Sequence, residues 1–339
     1  MNAIYYGVIF FLAFLLTIII ERILLPKLKM VAPQPIYEGG PAWHMSKSGT
    51  PTMGGLAFLI AITISIVVAV VFFVFDNKIS EAISLLISGA YALLNALVGI
   101  ADDTKKLLRK ENGGLTPAQK LLLQSMFALL FLVARGYFFD NETTLEFAWF
   151  EVEIGWIYYP IAFLTLVGIT NCANLTDGVD GLASGVAFGI GITFLALGYS
   201  VSWEVGAADI ASGATGAATG VAGAVMMGAG LGFLFYNIHP AKIFMGDTGS
   251  LLLGALAASG AFMLKNGVLI LIIGGVYVIE GASVILQVLV YKATKKRLFK
   301  MAPLHHHLEK CGWSEGKICY VGLIATLICG IICTAVYYG

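Results

Sequence analysis

Residues 3–25 read AIYYGVIFFLAFLLTIIIERILL, an apolar run interrupted only by Thr17 and by Glu21 and Arg22 near its end. A run of about 17–25 such residues is what a helix needs to cross the hydrocarbon of a bilayer. It lacks the basic start and the small-residue cleavage site of a secretory signal, so it reads as a first membrane span closed by Glu21, Arg22 and Lys27. The rest of the 339 residues follows suit: 59% are hydrophobic and 12% charged, with 20 Lys and Arg against 20 Asp and Glu. Soluble domains are about a quarter charged, and disordered chains lack this apolar content. Outer-membrane barrels read as short alternating segments instead. The expected fold is an all-α polytopic integral membrane protein forming one domain over residues 1–339, with the lipid bilayer as its first partner and no nucleic acid.

About ten transmembrane helices are expected, near 3–25, 54–75, 81–101, 118–137, 160–176, 181–200, 214–236, 249–265, 268–291 and 318–338. Of the 20 Lys and Arg, all but Lys78, Arg135 and Lys265 fall on one side of this layout. The positive-inside rule makes that side cytoplasmic and puts both termini outside. The excess positive charge there suits anionic headgroups or an anionic substrate.

Two segments read as architecture. Between Asp140 and Tyr159, Leu145, Phe147 and Trp149 alternate, then Val152, Ile154 and Trp156, which predicts a surface hairpin capped by interfacial aromatics. Between Gly206 and Gly232, small residues recur at Gly216, Gly220, Ala224, Gly228 and Gly232, one face of a closely packed helix rather than a linker, with a loop up to about Ser212. Cys172, Cys311, Cys319, Cys329 and Cys333 are odd in number and form no CxxC pair, so they read as small apolar filler.

Five polar constellations sit at the predicted inner border, where a buried charge needs a reason. Asp102 and Asp103 end the third span beside Lys105 and Lys106; they can hold a divalent cation or supply a base, though a solvated helix end explains them equally well. Asn171, Asn174, Asp177 and Asp180 recur every third residue in NCANLTDGVDG, spacing that can bring three side chains to one helix face. Phe244–Ser250, FMGDTGS, opens the eighth span; a helix start attracts phosphate, and Asp247 reads as a metal ligand or as the N-cap. His305, His306 and His307 follow Pro303 and Leu304 in the loop 292–317; three consecutive side chains cannot share one helix face. Lys47–Gly55, KSGTPTMGG, supplies a lysine, hydroxyls and glycines without Walker-A spacing. A polar pocket of this kind on one membrane face fits Mg²⁺-dependent transfer involving phosphates.

Taken together, KSGTPTMGG, the DDxxK pair, NCANLTDGVDG, FMGDTGS and MAPLHHHLE resemble the polyprenyl-phosphate N-acetylhexosamine-1-phosphate transferase family. PLHHH points to its muramoyl-pentapeptide branch. The resemblance implies a bacterial inner (plasma) membrane enzyme with its active site at the cytoplasmic face. Its substrates would be UDP-N-acetylmuramoyl-pentapeptide and undecaprenyl phosphate, its products lipid I and UMP, and its cofactor Mg²⁺. By matching positions, Asp102 would be the base toward the lipid phosphate, Asp103 its support, and Asp247 the Mg²⁺ ligand. Lys47, Thr52, Asn171, Asn174, Asp177 and Asp180 would line the nucleotide and phosphate pocket. Phe244 would stack on uracil, with Asn237, Gly246 and Gln287 near the nucleoside. His305, His306 and His307 would meet the sugar-phosphate, and Lys106 and Lys120 would balance phosphate charge. The resemblance also suggests a homodimer. Thr104 and Leu308 depart from the family pattern where aromatics are common, which touches packing rather than chemistry. Glu280–Gly281 in the ninth span reads either as a bend beside a lipid groove or as a Glu paired within the bundle. Two rivals remain: a relative using UDP-N-acetylglucosamine or a similar UDP-sugar, which the histidine run disfavours, and a transporter, whose charges would lie nearer the midplane.

Overall fold

The computed structural model describes residues 3–32, 47, 49–109, 113–139, 143–147, 149–204, 210–264 and 266–338. Ser48, Lys110, Asp140, Lys265 and the stretch Gly206–Asp209 lie outside them. The elements are α1 (Ala3–Val31), α2 (Gly55–Phe75), α3 (Ile79–Arg109), α4 (Pro117–Phe138), β1 (Thr144–Phe147), β2 (Phe150–Glu153), α5 (Tyr158–Thr176), α6 (Leu182–Glu204), α7 (Ile210–Asn237), α8 (Gly246–Phe262), α9 (Ile270–Ile273), α10 (Gly275–Thr294), α11 (Leu304–Lys310) and α12 (Glu315–Tyr338). Among the described residues nine helices are long and apolar enough to cross a membrane. The eighth expected span is α8, only 17 residues long. The chain is an all-α polytopic membrane protein.

The helices are apolar on both faces for two different reasons. In α1, Tyr6, Ile9, Ala13 and Thr17 are buried, while Ile4, Val8, Phe11, Leu15, Ile19 and Ile23 stay exposed. An outward stripe of that kind in a chain of helices this apolar faces lipid. The small residues of α7 do what their spacing predicts. A methyl group at Gly228 would stand 2.3 Å from the Phe10 carbonyl oxygen, and one at Gly220 2.7 Å from the Tyr6 ring, so α1 rests directly on that face.

At the centre stands α8, packed by α2, α3, α5, α6 and α7. Every residue from Thr248 to Phe262 is buried. Its far end is capped from α4, where buried Arg135 Nε donates to the Phe262 carbonyl at 2.6 Å, answering carbonyls that a helix end leaves unpaired. Beyond α4, β1 and β2 pair antiparallel with Phe147 opposite Phe150, the expected hairpin, and Trp149 and Trp156 are exposed beside it. All five cysteines are free thiols.

Two expectations are corrected. The helix of the third span does not stop at the aspartates: α3 continues to Arg109, because good helix formers follow and Lys106, one turn on, pairs with Asp102 at 2.6 Å. The ninth span does break, but at Gly274 (φ −86°, ψ 25°), not at Glu280–Gly281. Glu280 lies buried inside α10 and is paired within the bundle, while Gly281 lets Cys172 of α5 pack against α10.

Candidate active site

The site begins where α3 passes the start of α8. A methyl group at Gly99 would stand 2.4 Å from the Asp247 carbonyl oxygen, so only glycine admits this crossing. One turn later Asp103 accepts from the Thr248 hydroxyl at 2.7 Å, the Thr248 N–H at 2.9 Å and the Asp247 N–H at 3.2 Å. Asp103 thus serves the N–H groups that every helix start leaves open, and does so from another helix. Asp247 is therefore not the N-cap; that place belongs to Met245, and Asp247 projects from the first turn. Gly246 holds φ +73°, and a methyl group there would lie 2.8 Å from Asp103 Oδ2, so glycine is required twice over.

Asp102, wholly buried, completes a carboxylate triad with Asp103 and Asp247, whose ligand oxygens lie within 4.8 Å of one another. Lys106 Nζ stands 2.6 Å from Asp102, 3.3 Å from Asp247 and 4.0 Å from Asp103. Lys120, from the first turn of α4, reaches Asp102 at 2.9 Å and also pairs with Asp247. The Leu115 N–H donates to Asp102 at 2.7 Å, which draws the 113–116 turn over the centre. Thr116 then starts α4 with a capping box to Gln119, which fixes where Lys120 points. Three carboxylates and two ammonium groups leave one negative charge. Hard oxygen donors so arranged fit a divalent cation such as Mg²⁺, bound together with an anionic ligand that the lysines can also meet.

A second node lies at Lys47. Its Nζ is 2.7 Å from Asp180 and 2.5 Å from Glu315, with the Phe244 ring centroid 5.7 Å away. Asp180 also accepts from the Ala241 N–H at 3.1 Å and faces His239 Nδ1 at 2.9 Å. Burial alone would raise the Asp180 carboxyl, but Lys47, the Ala241 N–H and His239 together hold it below its ordinary range. Asp177, between the nodes, goes the other way. It keeps some open surface but sits among dense protein, and that enclosure, with Asp247, Asp103 and Asp180 nearby, holds its carboxyl well above the ordinary range; a hydrogen bond from the Gly246 backbone opposes this. The loop carrying both is tied down by Asn237, whose Oδ1 accepts from the Gly181 N–H at 3.0 Å. Phe244 pairs its backbone on either side of Thr52: its N–H donates to the Pro51 carbonyl at 2.8 Å, and its carbonyl accepts from the Gly54 N–H at 2.9 Å, while the Thr52 N–H donates to the Ala32 carbonyl at 3.0 Å.

The other predicted residues are placed as follows. Asn174 donates to Ser250 of α8 at 2.9 Å, and Asn171 Nδ2 donates to Gln124 Oε1 of α4 at 2.8 Å. Gln287 Oε1 accepts from the Leu298 and Phe299 N–H groups, closing its own loop. The histidines of α11 diverge as three consecutive residues must. His305 is buried, with Nδ1 3.1 Å from Glu280 and its other nitrogen close to Gly178. His306 pairs with Glu309 at 2.6 Å, and His307 accepts from the Lys300 N–H at 3.1 Å. Sequence reasoning missed Thr248 as the partner of Asp103, and missed His239, Glu315 and Gln124 altogether. Polarity at or near helix ends hinted at Thr248, His239 and Glu315, and polarity within an apolar helix at Gln124.

Membrane helices that gather carboxylates, lysines and histidines around a central helix start define a membrane-embedded enzyme acting on phosphates. The chain belongs to glycosyl transferase family 4, whose model matches residues 86–265. Residues 47–59 also match the phospho-N-acetylmuramoyl-pentapeptide-transferase signature 1. The phospho-N-acetylmuramoyl-pentapeptide-transferase of Staphylococcus haemolyticus is 43% identical over 328 residues, covering 95% of this chain and 96% of that protein. Those of Staphylococcus epidermidis and Desulfitobacterium hafniense are 41% and 38% identical over 326 and 329 residues, with 95–96% of each chain covered.

Proposed function

We propose that this chain transfers phospho-N-acetylmuramoyl-pentapeptide from its UDP-linked form to undecaprenyl phosphate at the cytoplasmic face of the bacterial inner membrane. The observation that carries the reading is the Asp102–Asp103–Asp247 triad, held with Lys106 and Lys120 at the buried start of α8. A lipid phosphate oxygen attacks the sugar-linked phosphorus of the UDP-sugar. The bond from that phosphorus to the bridging oxygen breaks, and UMP leaves with the electron pair. The products are UMP and lipid I.

Each residue has a part in this. Lys106 and Lys120 face the phosphates and offset charge as it moves to the leaving group. Asp247 would hold Mg²⁺, which supplies Lewis-acid charge to the diphosphate when bound. Asp102 takes any proton left on the lipid phosphate. Phosphate monoesters lose their second proton near pH 6, so its larger part is to hold the two lysines. Asp103 positions Asp247 through Thr248. Both its oxygens accept hydrogen bonds from the start of α8, and Asp102 is taken up by Lys106, Lys120 and Leu115, which supports direct attack by the lipid phosphate over a covalent aspartyl intermediate. Lys47, Asp180, Asn237 and Phe244 form the nucleotide end, with Thr52, Asn174 and Asp177 between it and the triad. His305 shapes the loop at Gly178, and His306 and His307 meet the sugar-phosphate. The positive-inside count supports a cytoplasmic site with both termini outside, and a homodimer is part of the proposal.

The test is UMP release by purified protein with undecaprenyl phosphate and Mg²⁺. UDP-N-acetylmuramoyl-pentapeptide and UDP-N-acetylglucosamine are offered in parallel. Release only with the first, stopped by EDTA, is expected. Release only with the second would keep the chemistry and overturn the substrate. Release with neither would bring forward a transporter. A phosphosugar trapped on Asp102 or Asp103 would overturn direct attack.

A further inference from the structure

We infer that Glu315, in the first turn of α12, is a positioning residue for the nucleotide end of the site; the inference rests on the proposed use of a uridine nucleotide. Its Oε2 meets Lys47 Nζ at 2.5 Å and the Asp180 N–H at 3.0 Å. Its Oε1 lies 3.8 Å from His239 Nδ1. One carboxylate from the last span therefore joins three segments that are far apart in sequence.

Charge alone does not explain it. Asp180 already neutralises Lys47, at 2.7 Å. A second carboxylate makes the node more negative, the wrong direction for drawing in an anionic nucleotide. Its contribution is geometric. A lysine is a compact charge on a flexible stem, and two acceptors on opposite segments leave its ammonium one position, 5.7 Å from the Phe244 ring centroid. The same carboxylate fixes the backbone of Asp180. A preset ammonium beside an aromatic face is a slot for a planar base with carbonyl oxygens, and the cost of ordering it falls before the ligand arrives.

Glu315→Ala and Glu315→Gln in the full chain test this, because Gln keeps an acceptor for the Asp180 N–H and loses the ion pair. UMP affinity is read by calorimetry, and KM and kcat by UMP release. The Ala variant is expected to weaken UMP binding and raise KM for the UDP-sugar about tenfold, the scale of one lost charge-assisted contact. Its kcat should stay within about twofold, and Gln should fall between Ala and wild type. A merely structural role would lower the folded fraction and leave KM unmoved. Unchanged UMP affinity, or a fall in kcat with KM unchanged, would overturn the inference. Should the Ala protein not fold, unchanged UMP affinity in the Gln variant overturns it equally. Wild-type turnover of a different UDP-sugar would sink the substrate reading while leaving the effect on UMP to decide this one.

Discussion

The crossing that carries the site is testable with one methyl group. Gly99→Ala places a Cβ 2.4 Å from the Asp247 carbonyl oxygen, 2.5 Å from its carbonyl carbon and 2.6 Å from Thr248 Cα. Ordinary contact starts at 3.4 Å, so α3 and the start of α8 must part by about 1 Å. Overpacking of this kind costs roughly 1–3 kcal/mol, and the gain from alanine over glycine inside a helix returns about 1 kcal/mol of it. Stability therefore shifts by at most about 2 kcal/mol. Activity is more sensitive, because a 1 Å misplacement of reacting groups can cost about a hundredfold. The assay is kcat for UMP release beside a melting curve in detergent. Gly7→Ala, where nothing lies within 4 Å of the added methyl, serves as the control. A Gly99→Ala protein that melts normally and retains more than a third of wild-type kcat would refute the argument that this crossing sets the place of Asp247.

Three further outcomes follow from the geometry. Asp247→Asn should reduce turnover below detection while the purified protein melts within a few degrees of wild type; near-normal turnover would remove Asp247 from the metal site. Thr248→Val deletes a buried hydroxyl bond to Asp103 at 2.7 Å, and a bond to a charged group is worth roughly 1.5–3 kcal/mol, so thermal stability should fall, and an unchanged melting point would deny Asp103 its anchoring part. Asp177 binds its proton more tightly in the folded chain than in the unfolded one, so its contribution is present at acid pH and lost as pH rises. In the absence of substrate, Asp177→Asn should melt above wild type by a margin that widens from pH 5 to pH 8; a margin that stays flat would contradict the raised pKa.

Local features of the fold and site are legible in the amino-acid order. The spans follow from the bilayer's thickness, and the small-residue recurrence at Gly220, Gly228 and Gly232 marks the face that α1 covers, while Gly216 at its start meets Val201 of α6. FMGDTGS announces a helix start, and the helix starts at Gly246. What the order of residues hides is pairing across the chain. Glu315 lies 268 residues from Lys47, and Thr248 lies 145 from Asp103. A glutamate at the first residue of an apolar helix has no local pattern to separate it from a solvated one. Asn171 shows the same: buried Gln124 of α4, 47 residues away, accepts its Nδ2–H, a partner its spacing with Asn174 does not announce. A charge inside the ninth span reads equally as a bend or as a Glu paired within the bundle, and the order of residues cannot choose. Glu280 is paired with His305, and the break falls at Gly274.

The shortness of α8 carries a consequence for the bilayer. Seventeen residues rise about 26 Å, some 4 Å less than the hydrocarbon is thick, whereas neighbouring α3 runs for 31 residues. Asp103 of α3 meets the start of α8, and α3 runs on to Arg109, so the start of α8 stands about 9 Å short of the end of its neighbour. On the proposed function, a lipid whose head reaches Asp247 comes down beside α3 instead of rising into water. Membrane thickness then becomes a variable of the reaction itself. Thinner bilayers bring the headgroup plane down to the helix end, and thicker ones leave a gap that the lipid must cross at the small cost per ångström of hydrophobic mismatch.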